Sequence, residues 1–436
     1  MKLWDKNIKS SEKEYAKIIE AFTIGSDRNF DLQLAEYDIR GSLAHAEMLS
    51  QIGLLTLAEW TVLKTALLQM LKKVKEDDFS IAPGIEDIHS QIEFELTQSV
   101  GEVGKKIHSA RSRNDQVLVA IKLYLKDEIR KIAIFSEQLF KRLQGLSEQH
   151  RHHLMPGYTH FQLAMPSSFG LWFGAYAESL TDDLELLLAA YRVCNKNPLG
   201  SAAGFGSSFP IDREFTTEKL GFKTLNYNVV YAQMTRGKVE KIVAMALANL
   251  AATLGKFSYD VCLYMNQNFG FISFPESLTT GSSIMPHKKN PDVFELVRAK
   301  ASKIQALPNE LSLLINNLPS GYHRDYQLTK EILFPEIDNL KNCLQILDFM
   351  LQHIMIKENI LQDEKYKYLF SVEAVNREVL SGMAFREAYK KIGIEIERDQ
   401  FHPHDSLAHT HIGSMGNLAT EKIKENFYKI FNKIFQ

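Results

Sequence analysis

An all-α fold built from long, side-by-side helices is what this 436-residue sequence predicts. Three observations carry that prediction. Apolar residues recur at three- and four-residue spacing in four separate segments, the mark of helices with one buried face. In two of those segments the repeat settles close to 3.5 residues, the seam of helices packed nearly parallel or antiparallel. One of them is apolar on almost every face, so its neighbours must surround it.

The first segment holds Val117, Ile121, Leu125, Ile129, Ile132, Leu139 and Leu143, and predicts a helix starting near Val117. Phe173, Tyr176, Leu180, Leu184, Leu187 and Tyr191 define the second. Leu247, Leu250, Leu254, Phe257, Val261 and Tyr264 define the third. Within it, Ile242 to Leu254 is apolar nearly all round, and Lys238, Glu240, Lys241 and Lys256 bracket it too closely for a membrane span. A helix buried on all sides at the centre of a bundle, one that other subunits can complete, is expected there. The fourth segment holds Leu340, Leu344, Leu347, Leu351 and Ile354, and shorter helices are expected near Val372–Leu380 and Phe385–Lys391. Three mainly helical domains follow: residues 1–108 with mixed helices and the acidic loop Glu86-Asp87-Ile88-His89, 109–360 with the long helices, and 361–436, shorter and more charged. The sequence carries neither an internal repeat nor a low-complexity linker.

A formal charge of −2 leaves no electrostatic footprint for nucleic acid or an anionic membrane. The opening Met1-Lys2-Leu3-Trp4-Asp5-Lys6 leads into a charged segment, so no signal peptide is expected. Cys194, Cys262 and Cys343 are odd in number and far apart, which predicts reduced thiols in a cytoplasmic protein and no zinc site. His402-Pro403-His404, His409 and His411 read as a solvated loop rather than as metal ligands.

The densest chemistry lies in Thr279-Thr280-Gly281-Ser282-Ser283-Ile284-Met285-Pro286-His287-Lys288-Lys289-Asn290-Pro291-Asp292. With almost no apolar filler it reads as an ordered loop, stiffened by Pro286 and Pro291. Its glycine, paired lysines and Asn290 suit a grip on a small polyanion. Ser109-Ala110-Arg111-Ser112-Arg113-Asn114-Asp115-Gln116 precedes a helix that Asn114 or Asp115 can cap, and arginines beside a helix start suit a carboxylate. In Met155-Pro156-Gly157-Tyr158-Thr159-His160-Phe161-Gln162 a Pro-Gly turn is expected to set up Thr159 and His160. In Gly321-Tyr322-His323-Arg324-Asp325-Tyr326-Gln327-Leu328-Thr329-Lys330, Gln327 and Lys330 share a helix face. The run Gly200-Ser201-Ala202-Ala203-Gly204-Phe205-Gly206-Ser207-Ser208 lacks a P-loop ending and reads as a structural turn.

From Gly281 to Asn290 the loop resembles the signature of the fumarase/aspartase superfamily, Gly-Ser-Ser-x-Met-Pro-x-Lys-x-Asn, whose members release fumarate by β-elimination. Lys289 and the following Pro291-Asp292, with Ser112-Arg113-Asn114-Asp115-Gln116, resemble the argininosuccinate lyase branch. The likeness runs from Gly41-Ser42-x-Ala44-His45 to Phe385-Arg386-x-Ala388. It implies a homotetramer with active sites shared between subunits, a small-molecule substrate (argininosuccinate) and no cofactor or metal. Ser282 and His160 take the roles of base and acid, in either assignment. Lys288 stabilises charge and Glu295 holds His160. Arg113, Asn114, Thr159, Asn290, Tyr322, Gln327 and Lys330 contact substrate. Two departures stand out: His287 replaces the glutamine of many relatives, and Asp27 falls where a substrate-contacting serine is usual. Either Ser26 substitutes for that serine or Asp27 meets the substrate guanidinium. The activity expected is conversion of argininosuccinate to arginine and fumarate in arginine biosynthesis. The alternatives are another superfamily lyase, such as adenylosuccinate lyase, and a catalytically silent crystallin-like relative.

Overall fold

The computed structural model describes residues 13–403 and 407–436, so the opening Met1–Lys6 segment and His404 lie outside the described residues. The chain forms two units: Met1–Ile132, Leu186–Ala248 and Lys303–Asn339 make one, and Ala133–Glu185, Asn249–Ser302 and Leu340–Gln436 the other. Five long helices, Arg113–Gln149, Phe169–Cys194, Lys238–Met265, Asp292–Ile315 and Thr329–Leu351, contribute residues to both. At 37 residues the first is about 55 Å long.

The expected periodicities become buried faces. Ile121, Leu125, Ile129, Ile132, Leu139 and Leu143 are buried, as are all six residues read in the second segment. In the third, Leu247 to Val261 are buried while Tyr264 is only partly covered. In the fourth the helix stops at Leu351, so Ile354 lies beyond it. The all-round apolar stretch needs a correction. Val243, Ala244, Leu247 and Leu250 are buried, but Met245 is half exposed and Asn249 exposed, so one stripe finds no cover among the described residues. This helix is long and apolar enough to cross a membrane, and half of its most apolar 18-residue window is buried in the chain.

In the first unit, Ala35–Gln51, Leu57–Lys75 and Ile88–Val100 share a core that includes Ile39, Leu49, Leu63, Leu67, Ile88 and Ile92. The Leu57–Lys75 helix starts where Thr56 and Glu59 exchange hydrogen bonds, Glu59 N to Thr56 Oγ1 at 3.2 Å and Thr56 N to Glu59 Oε2 at 2.9 Å. That reciprocal pair satisfies two amide donors the helix itself cannot. Asp87 opens the Ile88–Val100 helix by accepting from Ser90 N at 2.8 Å.

The sequence reading missed three features. β1 (Leu154–Thr159) and β2 (Gln162–Ser168) form an antiparallel hairpin, anchored by Tyr158 edge-on to Phe269. Pro156-Gly157 is therefore a bulged strand, not a turn. A Cβ on Gly157 would come within 2.9 Å of Met165 O across the hairpin, which is why glycine stands there. His409 is not merely solvated, since its Nε2 is 2.8 Å from Glu373. Lastly, the Thr420–Phe435 helix buries Ile423, Phe427, Ile430 and Ile434, with Phe427 stacked on Phe140 at 3.9 Å between centroids.

That stacked pair should hold the last helix in place. Phe427→Ala is expected to cost about 3–5 kcal/mol of unfolding free energy, read from denaturant midpoints. An unchanged midpoint would mean that the buried ring contributes nothing to stability.

Candidate active site

A pocket of about 240 Å³ in the first unit gathers most of the substrate-binding candidates: Asp27, Arg113, Asn114, Tyr322, Gln327 and Lys330 all line it. Its charges are arranged in layers. Lys330 is buried, with Nζ 2.9 Å from both oxygens of Asp27 and in contact with Asp31. Asp31 in turn accepts from Ile88 N at 3.0 Å. Burial pulls the Lys330 ammonium down, but Asp31 and Asp27 more than offset it and hold it above the ordinary lysine value. Burial pushes Asp27 up to about 6 against the pull of Lys330. Asp31 feels burial too, yet Lys330, His89 and the Ile88 amide hold it below the usual carboxylate range.

His89 is the main residue the sequence reading left without a role. It lines the pocket almost fully buried, and its Nδ1 contacts Asp38. Burial opposes its charge, but Asp38, Asp87 and Asp31 raise its pKa above the ordinary histidine value. Its Nε2 is buried with no partner among the described residues. The only sequence signal was its place in the run Glu86–His89. Arg236 and Arg324 also line the pocket. Arg236 NH2 donates to Tyr326 O at 2.9 Å, and Arg324 NH2 to Glu86 Oε1 at 2.7 Å. Arg113 is held at 3.2 Å from Asp87 and 3.1 Å from Ser90 Oγ. Gln327 Nε2 donates to Thr23 O at 2.9 Å. Ser26 does not line the pocket, because its hydroxyl donates to Glu331 Oε2 at 2.8 Å; Asp27 lines it instead.

The expected cap also needs correction. The long helix already includes Arg113, so neither Asn114 nor Asp115 is its cap; Ser112 Oγ accepts from Asn114 N at 3.4 Å. Asp115 is buried and holds the glycine-rich turn, accepting from Gly200 N at 3.1 Å, Ser201 Oγ at 3.0 Å and Ala202 N at 3.2 Å. The run 200–208 is thus a structural turn, as expected.

The second unit carries the remaining candidates. Thr159 and His160 lie at the end of the hairpin, where His160 and Phe161 form a two-residue loop with φ of +54° and +57°. Both positions of such a turn favour Asn or Gly. Two larger side chains held there signal strain of the kind found at functional sites. The Thr279–Asp292 run is a loop closed by Asn290 N donating to Thr280 O at 2.8 Å. Ser282 Oγ accepts from Met285 N at 3.2 Å. A Cβ on Gly281 would meet nothing within 4 Å. Lys288 and, in the first turn of the Asp292–Ile315 helix, Glu295 are exposed, as are Thr159 and His160. Among the described residues no hydrogen bond joins Glu295 to His160, so the expected pair is not formed within the single chain.

Comparison with known proteins gives this arrangement a family. Residues 11–306 match the family model described as lyase. The chain is 55% identical to the argininosuccinate lyase of Parabacteroides distasonis over 97% of its own length and 94% of that protein. It is 56% identical to that of Bacteroides fragilis (97% and 93%) and 39% identical to that of Thermotoga neapolitana (92% and 99%). Among solved structures, an EDDS lyase variant with bound fumarate superposes with a TM-score of 0.75 at 19% identity, covering 94% of this chain and 90% of that one. The class II fumarase of Schistosoma mansoni does so at 0.72 and 16%, covering 95% of each. At these identities the structural likeness speaks for the helical fold alone. Shared sequence along nearly the whole length is the stronger finding, and by it the chain belongs to the argininosuccinate lyase family of carbon–nitrogen lyases.

Proposed function

We propose that this protein cleaves argininosuccinate to arginine and fumarate, a step of arginine biosynthesis. The observation that carries the proposal is the charged pocket holding Asp27, Arg113, Asn114, Tyr322, Gln327 and Lys330, in a chain more than half identical to argininosuccinate lyases. Such a pocket suits a substrate that carries carboxylates and a guanidinium at once.

In the reaction a base takes the proton from the carbon beside a carboxylate of the succinyl part. The C–H electrons form the C=C bond of fumarate, the C–N bond breaks, and the guanidino nitrogen leaves with a proton as arginine. Ser282 serves as the base, its alkoxide favoured by loop amides such as Met285 N and by Lys288. Lys288 and Asn290 stabilise the doubly charged intermediate. His160 delivers the proton to the leaving nitrogen, with Glu295 as its carboxylate partner. Thr159 contacts the substrate.

A dianion forms readily only where water is excluded, whereas Thr159, His160, Lys288 and Glu295 are exposed in the single chain. That exposure, and the uncovered stripe through Met245, support a homotetramer whose active sites draw His160 and Ser282 from different subunits. Free thiols at Cys194, Cys262 and Cys343 support a cytoplasmic location.

The direct test is to offer argininosuccinate, adenylosuccinate, aspartate and malate separately and follow fumarate. Only argininosuccinate should be turned over efficiently, and comparable release from adenylosuccinate would overturn the assignment. Lys288→Met should lower kcat by roughly 100- to 1,000-fold with a smaller effect on KM, because the charge it meets exists mainly in the transition state. A raised KM with kcat intact would assign Lys288 to ground-state binding. Sharing between subunits can be tested by mixing the inactive variants His160→Asn and Ser282→Ala in equal amounts and reassembling them. Where the two residues come from different subunits, about a quarter of sites regain both wild-type groups. A well-mixed tetramer without recovery would refute the shared site and leave the chemistry standing.

A further inference from the structure

The carboxylates lining the first-unit pocket are not equivalent. Glu86 is taken by Arg324 at 2.7 Å and lies 3.7 Å from Arg113. Asp87 caps the Ile88–Val100 helix and pairs with Arg113. Asp31 divides its oxygens between Lys330 and the Ile88 amide. Asp27 differs. Both its oxygens meet the single ammonium of Lys330, and among the described residues neither receives a backbone amide or a guanidinium. A carboxylate offers about four acceptor sites, so Asp27 retains acceptor capacity facing the pocket. Beside it is a donor with capacity to spare. The three N–H groups of Lys330 are met by three oxygens, two of Asp27 and one of Asp31, whereas the buried Nε2 of His89 has no partner among the described residues.

An unspent acceptor next to an unspent donor matches a zwitterion. We propose that Asp27 is a specificity-determining residue that accepts the α-ammonium of an amino-acid ligand, while His89 Nε2 receives its α-carboxylate. The inference rests on the reading that argininosuccinate is the substrate, and it orients the end of that molecule remote from the bond broken. Raised toward neutrality by burial, the Asp27 carboxyl gains from a second cation in the pocket. An Nα-acylated ligand has no α-ammonium to offer and leaves Asp27 with Lys330 alone at that end.

The test compares argininosuccinate with its Nα-acetyl derivative in the wild type and in Asp27→Asn. One charged hydrogen bond is worth roughly 10- to 100-fold here, so wild-type kcat/KM should fall by about that factor on acetylation. Asp27→Asn should raise KM for argininosuccinate by a similar factor, change kcat far less, and treat the two substrates nearly alike. A wild type indifferent to acetylation, or a folded Asp27→Asn that keeps full discrimination, overturns the inference. Calorimetry on the wild type with arginine and with Nα-acetylarginine gives a reading that depends on neither a variant nor turnover. Arginine should bind more tightly by the same factor, and equal affinity overturns the proposal. If no fumarate forms from argininosuccinate, the proposed reaction fails, while the calorimetric comparison still decides the role of Asp27.

Discussion

The buried ammonium of Lys330 is the interaction on which the pocket depends. A lone lysine cannot remain charged away from water, and Asp27 and Asp31 are what keep this one ionised. The three groups come from two distant stretches of chain, the Asp27–Leu32 and Thr329–Leu351 helices, so the ion cluster also ties them together. Such a cluster is poor evidence for stability, because desolvation consumes much of the Coulomb gain. Its worth lies in geometry: it holds charged atoms at fixed points in a confined space, which ligand recognition requires.

A second ring of contacts supports that cluster. The Ile88 amide reaches Asp31, Asp38 holds His89, and Glu86 and Asp87 take up Arg324 and Arg113. The acidic run from Glu86 to His89 thus faces cations that arrive from elsewhere in the chain. Asp115 does comparable work beside the pocket, keeping the glycine-rich turn closed. Removing one member of such a network leaves its partner buried and unpaired, which costs more than the pair itself contributes.

The other unit works on the opposite principle. Its candidate groups sit on an exposed hairpin end and an exposed loop, organised by backbone contacts: the Asn290–Thr280 bridge, the Met285 amide on Ser282, and the strained turn at His160 and Phe161. Preformed backbone with uncommitted side chains is suited to meeting something outside the chain. The open space around Gly281 fits the same description.

Periodicity and composition were enough to predict the long helices, because a buried helical stripe repeats locally and needs no tertiary information. The loop from Thr279 to Asp292 was equally legible, since residues that cannot bury themselves declare it. The hairpin was not, because Pro156 and Pro166, paired across it, argue against strands, and its turn lacks Asn or Gly. Neither Asp27 over Ser26 nor the part played by His89 could be read from sequence. Both depend on which side chains arrive from positions far along the chain: Glu331 takes the Ser26 hydroxyl, Lys330 takes Asp27, and Asp38 takes one nitrogen of His89. Helices follow from local spacing, whereas the charge state and direction of a buried polar group follow from its neighbours, and only the tertiary structure supplies those.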